Sequence, residues 1–133
     1  MIRDVKREDV PFVFDSWLKS WRVNRYAGCI PNNLYYATTR ANIERLVARG
    51  AVIKVACLDS NEDTILGWIC YEQLDKDICI HYLYVKDPYL TKGVGQELVK
   101  EFTSGFYSYR CNQLRDFLDM TQWKWTPEIA RRR

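Results

Sequence analysis

At 133 residues the chain has room for one domain with a single core of two or three layers, and too little for two. Its 47% hydrophobic and 28% charged residues are ordinary for a soluble globular protein, and a net charge of +3 makes no bulk electrostatic case for nucleic acid. The five cysteines (Cys29, Cys57, Cys70, Cys79, Cys111) show no CxxC pair, which excludes the common zinc spacings, and no metal site is expected. Their odd number, with an N-terminus that is charged almost at once, predicts a reducing, cytoplasmic setting. No apolar run approaches the length of a membrane span. The closing Arg131-Arg132-Arg133 reads as a solvated helix end, where cations favour the dipole.

In chain order, residues 2–5 predict a short strand. Phe14, Trp17, Leu18 and Trp21 then recur at three- and four-residue spacing, which predicts an amphipathic helix over residues 10–23. Residues 23–37 hold Asn24, Gly28, Pro31, Asn32 and Asn33 with Tyr26, Tyr35 and Tyr36, a turn-rich loop. Thr38 or Thr39 caps a second helix that stops at Gly50. Residues 52–58, 65–71 and 78–85 are β-rich runs joined by short polar connections, the pattern of consecutive hairpins. A helix is expected over residues 94–104, a fifth strand over 117–120, and a last short helix from Pro127.

The run from Tyr84 to Leu98 carries the most information. An apolar strand enters a turn at Pro88, then Lys92-Gly93-Val94-Gly95, then a helical pattern. Two glycines at a helix start let backbone N–H groups approach a ligand, and those are the unpaired donors of a first turn. The result is an anion cradle suited to phosphate or pyrophosphate, with Gly95 facing the ligand and solvent and Lys92 adding a charge. No Walker loop is present, and Leu98 stands where a dinucleotide fingerprint needs Gly or Ala. The bland alternative is a glycine-containing strand-to-helix turn with no ligand.

Val85, Pro88, Tyr89, Gly93 and Gly95 fall at offsets that resemble the coenzyme A loop of the GNAT superfamily of N-acetyltransferases. Leu90 departs from the Arg or Gln preferred there, and Thr91 from the common Gly. The order β-α-α-β-β-β-α-β-α also resembles that family over nearly the whole chain. A looser likeness, through the Trp-rich first helix and the Trp-Lys-Trp-Thr-Pro-Glu-Ile-Ala-Arg-Arg-Arg ending, is to small GNAT-like proteins of tailed bacteriophages.

The resemblance implies a single α/β domain with a mixed, mostly antiparallel sheet flanked by helices. It implies an acetyl-CoA-dependent N-acetyltransferase acting on a small amine or a protein amino group. Leu83 and Val85 would pair with the pantetheine arm, and the amides of Leu90, Lys92, Gly93, Val94, Gly95 and Gln96 would hold the pyrophosphate. His81, the only histidine, is the leading candidate base, because imidazole titrates near neutrality. The alternative is a histidine that packs within the sheet. Glu72 and Asp119 are competing carboxylate bases, each with a plain solvated alternative. Cys79 reads as a buried thiol without an activating partner. The family's usual tyrosine acid has no counterpart after Tyr109. Tyr26, Tyr35 and Tyr36 could shape an acceptor pocket by the same analogy. A non-catalytic GNAT-fold module that binds a protein partner is the runner-up, and no membrane partner is expected.

Overall fold

Residues 52–85 alternate or run apolar between polar breaks, and in the computed structural model they form three long antiparallel strands. The structure describes residues 1–24 and 28–131. Strands β2 (Val52–Leu58), β3 (Asn61–Leu74) and β4 (Asp77–Val85) are joined by tight turns, the second with Asp75 at a φ of 52°. Asp tolerates that left-handed conformation better than most side chains. β1 (Ile2–Asp4) adds antiparallel to β2, while β5 (Gly105–Tyr107) and β6 (Trp123–Trp125) add in parallel beyond β4. The six strands therefore lie in the order β1-β2-β3-β4-β5-β6, as the mixed, mostly antiparallel sheet of the sequence reading requires.

Helix α1 (Val10–Arg22) buries Val13, Phe14, Trp17 and Leu18 on one face, with Pro11 in its first turn, where no N–H is needed. Trp17 is wholly buried and stacks on Tyr82 at 5.0 Å. Each such aromatic contributes about 1.5–3 kcal/mol through burial alone. Ser16 resolves the polar edge of this layer: its hydroxyl donates to Phe12 and accepts from the buried Trp68 indole at 2.9 Å.

Helix α2 (Asn32–Ala48) starts ahead of Thr38, because Pro31 fixes the entry and the following Asn32 and Asn33 open the helix. Tyr35 is consequently helical and wholly buried, and its hydroxyl donates to the Leu18 carbonyl. It braces two helices and is no part of an acceptor pocket. Tyr36 is exposed, and Tyr26 lies outside the described residues. Gly50 ends the helix as expected, at a φ of 103°.

The expected helix over residues 94–104 is shorter, α3 (Val94–Val99), because Gly105 and Phe106 join the sheet. The fifth strand is therefore residues 105–107, and the expected strand over residues 117–120 instead covers the end of α4 (Asn112–Phe117) and a turn. The last described element is α5 (Glu128–Arg131). Among the described residues no helix is long and apolar enough to cross a membrane.

Two irregularities shape the middle of the sheet. Cys70 pairs with Tyr82 while Tyr71 pairs with Ile80, so His81 is the extra residue of a β-bulge on β4. Such bulges bend a strand and re-aim its side chains. The β4–β5 ladder is short: Cys79 opposes Phe106, Ile80 opposes Tyr107, and the Ser108 N–H reaches the Ile80 carbonyl at 3.2 Å. The ladder ends there, five residues before β4 does, and leaves a fork between the strands.

Candidate active site

At the apex of this fork four side chains form one hydrogen-bonded chain. His81 Nδ1 lies 2.6 Å from Ser108 Oγ, and His81 Nε2 lies 2.9 Å from Glu72 Oε1. Arg49, at the C-terminal end of α2, donates from Nε and Nη2 to the two oxygens of Glu72 at 3.0 and 2.8 Å. Its Nη2 also donates to the Ile129 carbonyl, tying the cluster to α5. The bulge makes this possible, because it turns His81 out of the regular strand alternation toward Glu72 and Ser108.

Burial dictates the protonation states. His81 is 0% exposed, and desolvation pushes its pKa below the usual value, although the bond to Glu72 acts in the opposite sense. Its neutral form therefore prevails near neutrality. Burial alone would raise Glu72, but the bonds from Arg49 and His81 outweigh it and hold this carboxyl below its usual range. An ionised Glu72 accepts from His81 Nε2–H, which leaves the Nδ1 lone pair to accept from the Ser108 hydroxyl. The tautomer is assigned from these partners. Glu72 is thus not a solvated carboxylate: doubly held by Arg49, it also bonds the imidazole. Cys79 Sγ sits 3.9 Å from His81 Nδ1, and burial pushes its thiol up to about 12, so it stays protonated and inert.

Asp119 does not join the cluster. It is exposed and accepts from the Thr121 N–H at 3.1 Å and the Thr121 hydroxyl at 2.7 Å, bonds that lower its pKa. With residues 117–120 forming a helix end and a turn, Asp119 caps that turn.

The loop after β4 carries several corrections. The Leu90 and Lys92 N–H groups donate to Asp87 and Tyr89 in consecutive turns, so neither amide is available to an anion. Gly93 adopts a φ of 82°, which reverses the chain into α3. Gly95 is buried beneath the ring of Phe117, to which a Cβ would lie 2.4 Å away. Its glycine serves a close approach of α3 and α4, and the expectation that it faces solvent does not hold. Val94 is buried, whereas Lys92 and Gln96 are exposed on the loop surface.

Leu83 and Val85 are buried on β4. Both backbone groups of Val85 are engaged by the Gln113 side chain, whose Oε1 accepts from Val85 N–H at 2.7 Å and whose Nε2 donates to Val85 O at 3.1 Å. A carboxamide thus occupies the place where an amide-bearing arm lying along β4 would pair. The residues present fit such an arm: the strand edge is aimed into the fork, and a primary amide is its stand-in. A cavity of about 550 Å3 opens between the end of α1, at Val23 and Asn24, and Tyr107, Arg110 and Arg115.

Sequence reasoning misses Ser108, Arg49 and Gln113. Ser108 has no local signal, because Gly105-Phe106-Tyr107-Ser108-Tyr109 shows no apolar-polar alternation. Arg49 and Gln113 have none either, since their partners are distant in sequence.

A family model described as acetyltransferase (GNAT) family matches residues 12–112. Among solved structures, a GNAT family acetyltransferase from Brucella melitensis in complex with acetyl-CoA is 16% identical, with a TM-score of 0.58 over 88% of this chain and 80% of that one. A Corynebacterium glutamicum protein described as histone acetyltransferase HPA2 and related acetyltransferase is 15% identical, with a TM-score of 0.58 over 76% of this chain and 68% of its own. PaiA N-acetyltransferase from Thermoplasma acidophilum, in complex with coenzyme A, is 22% identical, with a TM-score of 0.50 over 76% and 67%. At these identities the likeness is one of fold. No curated protein matches the chain.

Proposed function

The chain belongs to the acetyltransferase (GNAT) family, and from that premise we propose that it moves an acetyl group from acetyl-CoA, the family's cosubstrate, directly to the nitrogen of a small amine or a protein amino group. When bound, acetyl-CoA supplies an activated thioester. The observation that carries the reading is the fork: β4 and β5 stop pairing at Ser108, and the Val85 backbone beyond it already holds an amide.

The loop binds and the fork orients. Backbone amides of residues 93–96, with Lys92 at the rim, face the pyrophosphate. Val85 N–H and O take the arm once Gln113 withdraws, and the arm runs back along β4 past Leu83 toward the bulge at His81. Holding the two reactants there lowers the entropic part of the barrier. His81, kept neutral by burial and aligned by Glu72, accepts the proton that the attacking amine must lose.

A non-catalytic interaction module is the second reading, and one observation favours it. Gln113 and Phe117 cover the positions that the coenzyme would need. Thermal unfolding with and without acetyl-CoA separates the two. A ligand that binds only the native state stabilises it by about 2.7 kcal/mol at a hundred times its Kd. A rise of several degrees in Tm supports the transferase, and an unchanged Tm at millimolar acetyl-CoA supports the module.

A further inference from the structure

We propose that Ser108 is the catalytic group that exchanges the proton with the acceptor amine and the departing thiolate, with His81 acting behind it as the reservoir. The inference rests on the acetyl-transfer reading and deepens it.

His81 cannot meet a substrate itself. It is 0% exposed against 6% for Ser108, and both of its ring nitrogens are already engaged. On the Nε2 side the path is closed by Glu72 and then by Arg49. On the Nδ1 side stand the Ser108 hydroxyl, 2.6 Å away, and at 3.9 Å the Cys79 thiol, which burial keeps protonated. Any proton that reaches His81 from the fork therefore passes through Ser108 Oγ.

Ser108 also stands where the reaction would take place. Its N–H makes the last rung between β4 and β5, so its side chain sits at the apex of the fork. The anion loop begins just after Val85. An arm tethered there and lying along β4 runs back toward His81, about 13 Å from Val85 at the usual rise per residue. Its reacting end arrives beside Ser108.

The proton account balances. As the amine nitrogen bonds to the thioester carbonyl carbon, its surplus proton passes to Ser108 Oγ while the Ser108 proton passes to His81 Nδ1. The imidazolium so formed faces an ionised Glu72. When the carbon–sulfur bond breaks, the electron pair leaves with sulfur. His81 returns its proton through Ser108 to that thiolate, and the products are an amide and a free thiol. One relay serves as both base and acid.

The same triad of hydroxyl, imidazole and carboxylate could make Ser108 a nucleophile, and the experiment separates that case. Ser108→Ala, Ser108→Thr, Glu72→Gln and the Ser108→Ala/Glu72→Gln double variant are compared with wild type in steady-state acetyl transfer and in acetyl-CoA binding. Ser108→Ala should lose about a hundredfold in kcat, with KM and coenzyme affinity within about twofold of wild type. Ser108→Thr, which keeps the hydroxyl, should recover most of the loss. The double variant should be about as slow as the slower single variant, since groups acting as one unit are not additive.

Full turnover in folded Ser108→Ala overturns the proposal. So does a loss that Ser108→Thr does not rescue and that is accompanied by lost coenzyme affinity, which marks a structural role. An acetyl ester trapped on Ser108 by acid quench overturns it in favour of a nucleophile. Imidazole-nitrogen NMR reads the contact without substrate: Ser108→Ala should shift the His81 Nδ1 resonance and leave a single neutral tautomer. An unmoved resonance overturns the relay. A moved resonance in a protein that binds acetyl-CoA but acetylates no amine supports the contact, yet sinks the acetyl-transfer reading and with it the catalytic role of Ser108.

Discussion

The Gln113 carboxamide bonds both the N–H and the carbonyl of Val85, so a side chain from α4 completes the strand edge that β5 leaves unpaired. Because the coenzyme arm would use the same two groups, Gln113 is an internal competitor. Two such bonds contribute about 1–3 kcal/mol net. Gln113→Ala should therefore tighten acetyl-CoA binding by roughly tenfold while lowering Tm by several degrees. Calorimetric titration checks both halves, and weaker binding would mean that Gln113 contacts the coenzyme.

Gly95 makes a different demand on α4. With Phe117 2.4 Å from where a Cβ would stand, any side chain must displace the Phe117 ring. Gly95→Ala should cost about 1–3 kcal/mol of stability, the usual range for overpacking. Gly95→Ala combined with Phe117→Leu should recover part of that loss in urea unfolding. Equal stability of Gly95→Ala and wild type would contradict the packing described.

The pH dependence of stability follows from His81, the one histidine in the chain. Its pKa in the folded state lies below the ordinary value of about 6.5. The unfolded chain therefore takes up a proton first as pH falls, and the folded state loses stability from about pH 6.5 down to the depressed folded value. Glu72, also depressed, adds a second loss below the ordinary carboxylate range as pH falls through its folded value. Asp9, held low by its bond from Arg3, adds to that acid-side loss. His81→Asn should remove the upper step and leave the acid-side loss, as measured by urea unfolding at a series of pH values. A wild-type protein equally stable at pH 5 and pH 7 would contradict the buried neutral imidazole.

Arg49 supports the same carboxylate. Arg49→Leu leaves Glu72 in a mostly buried position without its cationic partner. It should destabilise the fold by about 1.5–3 kcal/mol, the range for hydrogen bonds to charged groups. The acid-side loss of stability should also begin at a higher pH. Unfolding of Arg49→Leu beside wild type at pH 4.5 and pH 7 checks the shift.

The fold was legible where physical signals are local. The hairpins over residues 52–85 announce themselves by alternation and polar turns, and α1 by its aromatic spacing. The strands at residues 105–107 and 123–125 are only three residues long, and their parallel pairing across intervening helices leaves no turn signature. The site divided along the same line. His81 stood out as a unique residue type, and the glycine loop by its composition. A strand over residues 117–120 is the wrong expectation for Asp119, whose side chain caps a turn. Glu72 became an orienting group only through Arg49, 23 residues away, and Ser108 through a bulge that no alternation pattern encodes.

The central claim is that the fork between β4 and β5 delivers an acetyl thioester to the His81 cluster. A single-turnover assay with acetyl-CoA and a broad panel of amines, run on wild type and His81→Gln at matched coenzyme occupancy, tests it most directly. The account predicts acetylated amine and free thiol in equal amounts for wild type. It predicts a rate about a hundredfold lower or more in His81→Gln, with acetyl-CoA affinity near wild type. Equal rates in the two proteins, or an acetyl-CoA-bound wild type that acetylates no amine, would contradict it.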